Sequence, residues 1–321
     1  MSAPAIEAGA PPAPGTPEWL KLMTASKVAA VFGISPWDSP VSLWLKMKGI
    51  WIEEKAVTNA MSRGTYLENG LLDWWADQHP EWPELTRQYY ATRPEYPGMA
   101  ATCDGRATNG MRGRLERSVL VEAKTASKME EWGTQFTDQI PPYYKAQVDF
   151  QLGMVPEASF AYVPVLGPFN DLREYVVERD EERIGLVMSK AMEFIASLDQ
   201  DAPPPLDDHE ATFTAIKAVN PDIEKGNSVE VTLEEALEFL RSTEDEKTAV
   251  ARARGAKVVI LNAAKTAQYV TAPGAVRVAR RQPNRSGISL VPVGKAEDLE
   301  QRVADALAQE VQAVVTETTA S

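Results

Sequence analysis

Two apolar runs that each end on a carboxylate constrain this chain more than any other feature. Met99–Cys103 leads into Asp104, and Val119–Leu120–Val121 leads into Glu122, with Lys124 two residues further on. A Gly-, Asn- and Arg-rich turn at 109–113 lies between them and predicts a hairpin. Asp104 sits where the chain turns at Gly105. Glu122 and Lys124, two apart on a strand, face the same side of the sheet. A carboxylate and an ammonium on one buried face are costly unless something else is bound there. A divalent cation on Asp104 and Glu122 offsets that cost, and oxygen ligands of this kind suit Mg²⁺ or Mn²⁺. Lys124 is then placed to orient or deprotonate a water. The competing reading makes Glu122 and Lys124 an ordinary ion pair on a solvent face; the apolar residues 119–121 count against it.

Helical patterns surround this pair. Thr24–Ala25–Ser26 precedes an apolar run that Gly33 ends, and Ser39–Pro40 opens a helix with Leu43, Trp44 and Met47 on one face. A third helix is predicted over 59–75, with Leu67, Leu71, Leu72 and Trp75 at helical spacing. A helix at 143–153, strands at 159–165 and 172–177 and a helix at 181–198 follow. This order predicts an α/β fold over 19–200, a central mixed β-sheet flanked by helices. Residues 1–18, rich in Pro, Ala and Gly, read as a disordered leader without the basic and apolar regions of a signal peptide. Ala202–Pro205 reads as a boundary. Beyond it, 201–295 is predicted to hold helices at 232–240 and 242–269 and a basic β-hairpin, Val276–Arg280 with Gly287–Val293, turning at Pro283–Asn284. Residues 296–321 read as a last helix and tail.

Composition narrows the chemistry. One cysteine, Cys103, excludes a disulfide framework and suits a reducing cytosol, and two histidines leave little for a histidine-ligated metal or a Ser-His-Asp triad. No apolar stretch is long enough to span a membrane. The net charge of −13 argues at first against a polyanionic partner. Its distribution changes that: Lys247 to Lys295 holds ten Lys or Arg and no acid, which leaves −23 on the remainder. Either this block packs on acidic surface, or it faces a polyanion through Arg277, Arg280, Arg281 and Arg285. Trp37, Trp44, Trp74, Trp75 and Trp132 invite a base-stacking reading, but at helical spacing most are expected in the core.

Asp104 and Glu122–x–Lys124 match the pattern of the PD-(D/E)xK nuclease superfamily. More narrowly, the chain resembles the lambda exonuclease and YqaJ-type viral recombinase family. The resemblance rests on five ordered motifs between 19 and 198. They are Ala25–Ser26 followed by Gly33–Ile34–Ser35–Pro36–Trp37; Arg63–Gly64 with Glu68; the Asp104 and Glu122–x–Lys124 pair; Pro141–Pro142–Tyr143–Tyr144 with Gln147 and then Gln151; and Glu178–Arg179–Asp180. One departure stands out: Cys103 occupies the place of the proline that usually precedes the motif aspartate. A nucleophilic role for Cys103 lacks a nearby histidine.

The resemblance implies a restriction-endonuclease-like core with a C-terminal helical and hairpin appendage. It implies that Asp104, Glu122 and the Ala123 carbonyl hold Mg²⁺, with Glu68 completing the cluster directly or through water. Lys124 would position the attacking water, and Gln147 would hold Lys124 or that water. Ser26 and Thr102, with Lys21 in place of the arginine usual before the serine, would take a 5′ phosphate; a helix start at Ser26 would add amide donors. The implied activity is Mg²⁺-dependent exonucleolytic hydrolysis of double-stranded DNA, 5′ to 3′, in phage-type recombination in the host cytoplasm. A trimeric ring and a single-strand annealing partner are implied with it. An endonuclease of the same superfamily and a catalytically idle DNA-binding scaffold are the alternatives.

Overall fold

The computed structural model describes residues 6–7, 11–13, 15–53, 57–285 and 287–319, with backbone alone at 6–7 and 310–319. Two compact units divide at Ile223/Glu224. In the first, the elements run β1 (Ile6–Glu7), α1 (Pro17–Lys21), β2 (Met23–Thr24), α2 (Ala25–Val31), α3 (Pro40–Met47), α4 (Asn59–Gln78), β3 (Glu84–Thr92), β4 (Met99–Thr108), β5 (Ser118–Val121), β6 (Lys124–Thr125), α5 (Pro142–Met154), β7 (Ala158–Leu166), β8 (Leu172–Glu178), α6 (Glu181–Asp199) and α7 (Glu210–Val219). The second holds α8 (Leu233–Ala264), β9 (Tyr269–Ala272), β10 (Val276–Asn284), β11 (Gly287–Pro292) and α9 (Leu299–Thr319).

The first unit is a mixed sheet flanked by helices, as the order of patterns predicts. β3, β4 and β5 form an antiparallel meander, and β5 then runs parallel to β7, which pairs antiparallel with β8. Val121↔Tyr162 and Lys124↔Val165 keep one register, so β5 and β6 are one strand interrupted at Glu122–Ala123. Part of the proposed leader is structured: β1 pairs with Ala91 and Thr92 of β3, and α1 starts at Pro17. Residues 1–5, 8–10 and 14 of that leader lie outside the described residues.

Local chemistry sets the helix ends. Ser39 and Ser42 form a capping box at α3, and the Thr58 hydroxyl accepts the Met61 amide at α4. The Glu178–Arg179–Asp180 motif joins two helices. Arg179 Nη1 donates to Leu152 O at the end of α5 (2.7 Å), while Asp180 accepts the Glu182 and Arg183 amides that open α6. α5 is the central helix, with Val148, Phe150, Leu152 and Met154 fully buried and Asp149 paired to Arg183 of α6. Burying each such apolar side chain contributes about 1.5–3 kcal/mol. Trp44, Trp75 and Trp132 are core residues, whereas Trp37 is exposed and meets Tyr143 edge-on at 5.2 Å.

Chain beyond the Ala202–Pro205 boundary still packs on the first unit. α7 buries Thr212 and Ala215, and Thr212 Oγ1 lies 2.6 Å from Ser39 Oγ. His209 Nδ1 accepts the Ala211 amide, so Nε2 carries the proton and donates to Ser35 O at 3.1 Å. In the second unit the two predicted helices are one, α8, because no breaker lies between 240 and 242. The hairpin is present, with Pro283↔Ile288 and Asn284↔Gly287 as its last pairs, so Pro283–Asn284 belong to the strand and not to the turn. α8 ends at Ala264, short of the expected 269, and β9 joins the hairpin as a third strand.

Candidate active site

The meander places the two carboxylates. Gly105 pairs with Val121 across β4 and β5, so Asp104 and Glu122 are the next opposed residues and share a face. Past Val121 the Ala123 amide leaves the ladder and donates to Asp104 Oδ2 at 2.9 Å. Gly105 makes the close approach possible: a Cβ there would lie 2.8 Å from Leu85 Cδ1 and 3.3 Å from Val121 Cβ.

Glu122 is buried, and its carboxylate accepts from three side chains. Lys124 Nζ donates to Oε1 at 2.5 Å, Gln147 Nε2 donates to the same oxygen, and Gln151 Nε2 donates to Oε2 at 2.7 Å. Glu122 and Lys124 therefore form a buried pair and not a solvent-face pair. Burial opposes charge on Lys124, but Glu122 and Asp104 outweigh it and push the ammonium up to about 12. Its Nζ serves as a donor to Glu122. Tyr144 presents its ring face to Nζ at 4.9 Å. Gln147 engages Glu122, and no bond from it to Lys124 is formed among the described contacts. Gln151 and Tyr144 were legible only as part of the Pro–Pro–Tyr–Tyr…Gln motif.

Glu68, on α4, accepts from Gln88 Nε2 of β3 at 2.6 Å. Burial raises its carboxyl, with Glu122 adding and the Gln88 bond opposing. Burial likewise holds Asp104 well above the ordinary carboxylate range; Glu122 and Glu68 add, and Lys124 and the Ala123 amide oppose. Among the described residues, no three His, Cys, Asp or Glu side chains converge closely enough to hold a metal ion. Glu68 is bonded to Gln88, and its charge still acts on Asp104. The donor set still fits a hard cation. Two opposed carboxylates disfavour each other's charge against one ammonium, and Mg²⁺ is commonly held by one or two carboxylates with several waters.

Two of the expected phosphate residues follow a short strand pair. Thr24 of β2 lies opposite Ala100 of β4 in parallel register; Ser26 follows in α2, and Thr102 follows in β4. Ser26 Oγ lies 3.1 Å from Thr24 Oγ1 and is exposed; Thr24, not Ser26, is the N-cap, and α2 has only seven residues. Lys21 is exposed at the end of α1. A cation that sequence patterns did not reveal lies beside them. Lys27 is buried, and its Nζ donates to Trp19 O, Leu20 O and Leu22 O at 2.6–3.1 Å. Burial pulls its ammonium down to about 7, with Asp38 opposing. Cys103 is fully buried, and burial pushes its thiol well up, with Glu122 and Asp104 adding, so it is no nucleophile.

In the second unit two of the four hairpin arginines are engaged internally. Arg277 stacks on Tyr269 at 4.3 Å, and Arg281 Nη1 donates to Lys265 O and Ala267 O. Arg280 donates to Gln282 at 2.8 Å, and Arg285 is exposed in the turn.

Residues 18–155 match the model of the YqaJ-like viral recombinase domain, which bears out the resemblance carried by the motifs. Among solved structures, the chain is similar to LHK-Exo, an alkaline exonuclease from Laribacter hongkongensis. The identity is 19%, over 63% of this chain and 96% of that one, with a TM-score of 0.43. A putative exonuclease from Eubacterium rectale is similar at 11% identity, over 65% and 91% of the two chains, with a TM-score of 0.40. No curated protein matches. No helix among the described residues is long and apolar enough to cross a membrane.

Proposed function

We propose that residues 19–200 are a Mg²⁺-dependent deoxyribonuclease, with Mn²⁺ as substitute, that degrades duplex DNA from its 5′ end during viral-type recombination in the host cytoplasm. The observation that carries this reading is the opposed pair Asp104 and Glu122, with Lys124 bonded to Glu122 on the same face. Asp104 and Glu122 hold the cation, which neutralises charge at the scissile phosphate when bound. Lys124, on the same face and bonded to Glu122, orients the attacking water. Gln147 and Gln151 fix the Glu122 carboxylate so that it does not rotate away. Ser26 and Thr102 donate hydroxyls to the terminal phosphate, with Lys21 supplying charge. A homo-oligomeric ring and a single-strand annealing partner belong to the same reading through the family match.

The test is degradation of a duplex labelled at one end, with and without Mg²⁺ and with and without a 5′ phosphate. Loss of label from the 5′ end, abolished by chelation and slowed by dephosphorylation, is the expected result. No metal-dependent cleavage of any DNA would overturn the nuclease. Equal rates on phosphorylated and dephosphorylated ends would remove the terminal-phosphate pocket alone.

A further inference from the structure

α8 is the longest helix among the described residues and is almost unpacked. Of its 32 residues only Ala264 is buried. Leu237, Leu240, Val258 and Leu261 are exposed by 37%, 62%, 60% and 38%. Most helical stability comes from packing an apolar face, which a free helix of about 48 Å lacks.

Two patterns within α8 coincide. The first is charge. From Leu233 to Glu246 six carboxylates accompany the single Arg241, a net of −5; from Lys247 to Ala264 four cations and no acid give +4. The second is a seam. Leu237, Leu240, Glu244, Lys247, Ala251, Arg254, Val258 and Leu261 recur at alternating steps of three and four, the heptad spacing of a coiled coil. Reversed about Ala249, this seam maps onto itself: 237 falls on 261, 240 on 258, 244 on 254 and 247 on 251.

We propose that a second copy of this chain packs antiparallel on α8, about a two-fold axis level with Ala249. Leu237 then meets the partner's Leu261, and Leu240 meets the partner's Val258, at both ends of the seam. Glu244 meets the partner's Arg254 inside those apolar layers, and Lys247 meets the partner's Ala251 at the centre. Each acidic half lies along a basic half, whereas a parallel pair would set like charge on like. Charged residues within a seam weaken any register that leaves them unpaired; the two Glu–Arg layers favour this one, which leaves Lys247 alone opposite an alanine. The contact is isologous and closes on itself as a dimer. It uses none of the residues of the candidate active site.

The test uses the full chain with Leu240→Cys in one tagged copy and Val258→Cys in another, co-expressed and then oxidised. Cys103 is buried and takes no part. A disulfide-linked dimer is expected between the two variants and not from either alone, since like positions would lie about 27 Å apart along the axis. Cross-linking of each variant with itself, or no cross-link in any combination, would overturn the proposal. Independently, Glu244→Arg and Arg254→Glu should each raise the dimer Kd by about tenfold or more, and the double variant should restore it. A Kd that ignores both single changes would also refute the pairing.

Discussion

The Ala123 amide is bonded to the Asp104 carboxylate and not to a neighbouring strand. This one hydrogen bond, 2.9 Å long, interrupts β5–β6 between Glu122 and Lys124 and fixes the aspartate opposite the glutamate. Asp104→Asn keeps an acceptor for that amide and removes the charge. The fold should persist, with an unchanged circular dichroism spectrum, while cleavage falls by at least about tenfold. Glu122→Ala and Lys124→Ala should lose cleavage comparably, Lys124→Ala still binding DNA. Retention of more than about a tenth of the parent rate by the Asp104 or Glu122 variant would place the chemistry elsewhere.

Gly105 lies under Leu85 and against Val121, so Gly105→Ala introduces a methyl where neither neighbour has room. A loss of about 1–3 kcal/mol in urea unfolding is expected, of the size that overpacking costs. A fully stable variant would show that Leu85 of β3 and Val121 of β5 give way easily.

The hairpin arginines divide by their contacts. Arg280→Gln with Arg285→Gln should lower the slope of log affinity against log salt on duplex DNA by about 2, one near-unit step per phosphate contact. Arg281→Gln should instead lower the melting temperature, because it leaves the Lys265 and Ala267 carbonyls without their donor. An unchanged salt slope in the first variant would make the hairpin purely structural.

Lys27 makes stability depend on pH. Its folded value, about 7, lies below the ordinary 10.5, so between these limits the unfolded chain binds the extra proton. Stability therefore rises with pH across that window, by at most about 2–3 kcal/mol from pH 7 to 9. Lys27→Met should flatten this slope while losing about 1–3 kcal/mol from the unpaired carbonyls. Parallel slopes in parent and variant, measured by denaturant unfolding, would refute it.

Elements with clean periodicity were legible in the sequence, and so were the carboxylates at their ends. β3 was not, because Glu84–Thr92 mixes polar and aromatic residues on both faces with little burial before Tyr89. α7 hid behind the prolines at 203–205, which mark the end of α6 but not the end of the unit. The Glu68–Gln88 bond was illegible for the same reason as β3, since it joins a helix to an unrecognised strand. Lys27 falls within an apolar helix run, and only the fold brings three carbonyls to it.

The donors on Glu122 come from residues 124, 147 and 151, and the strand that carries it is backed by β7, which ends at 166. During synthesis the 99–125 hairpin leaves the ribosome well before that backing exists. Until then the glutamate has water where its glutamines will be, and only the hairpin and the Ala123 bond set it opposite Asp104. The Glu122 carboxylate thus acquires its glutamine donors late, only after the central helix has docked and β7 has paired. A chain truncated before residue 166 should carry every acidic residue of the site and still be inert.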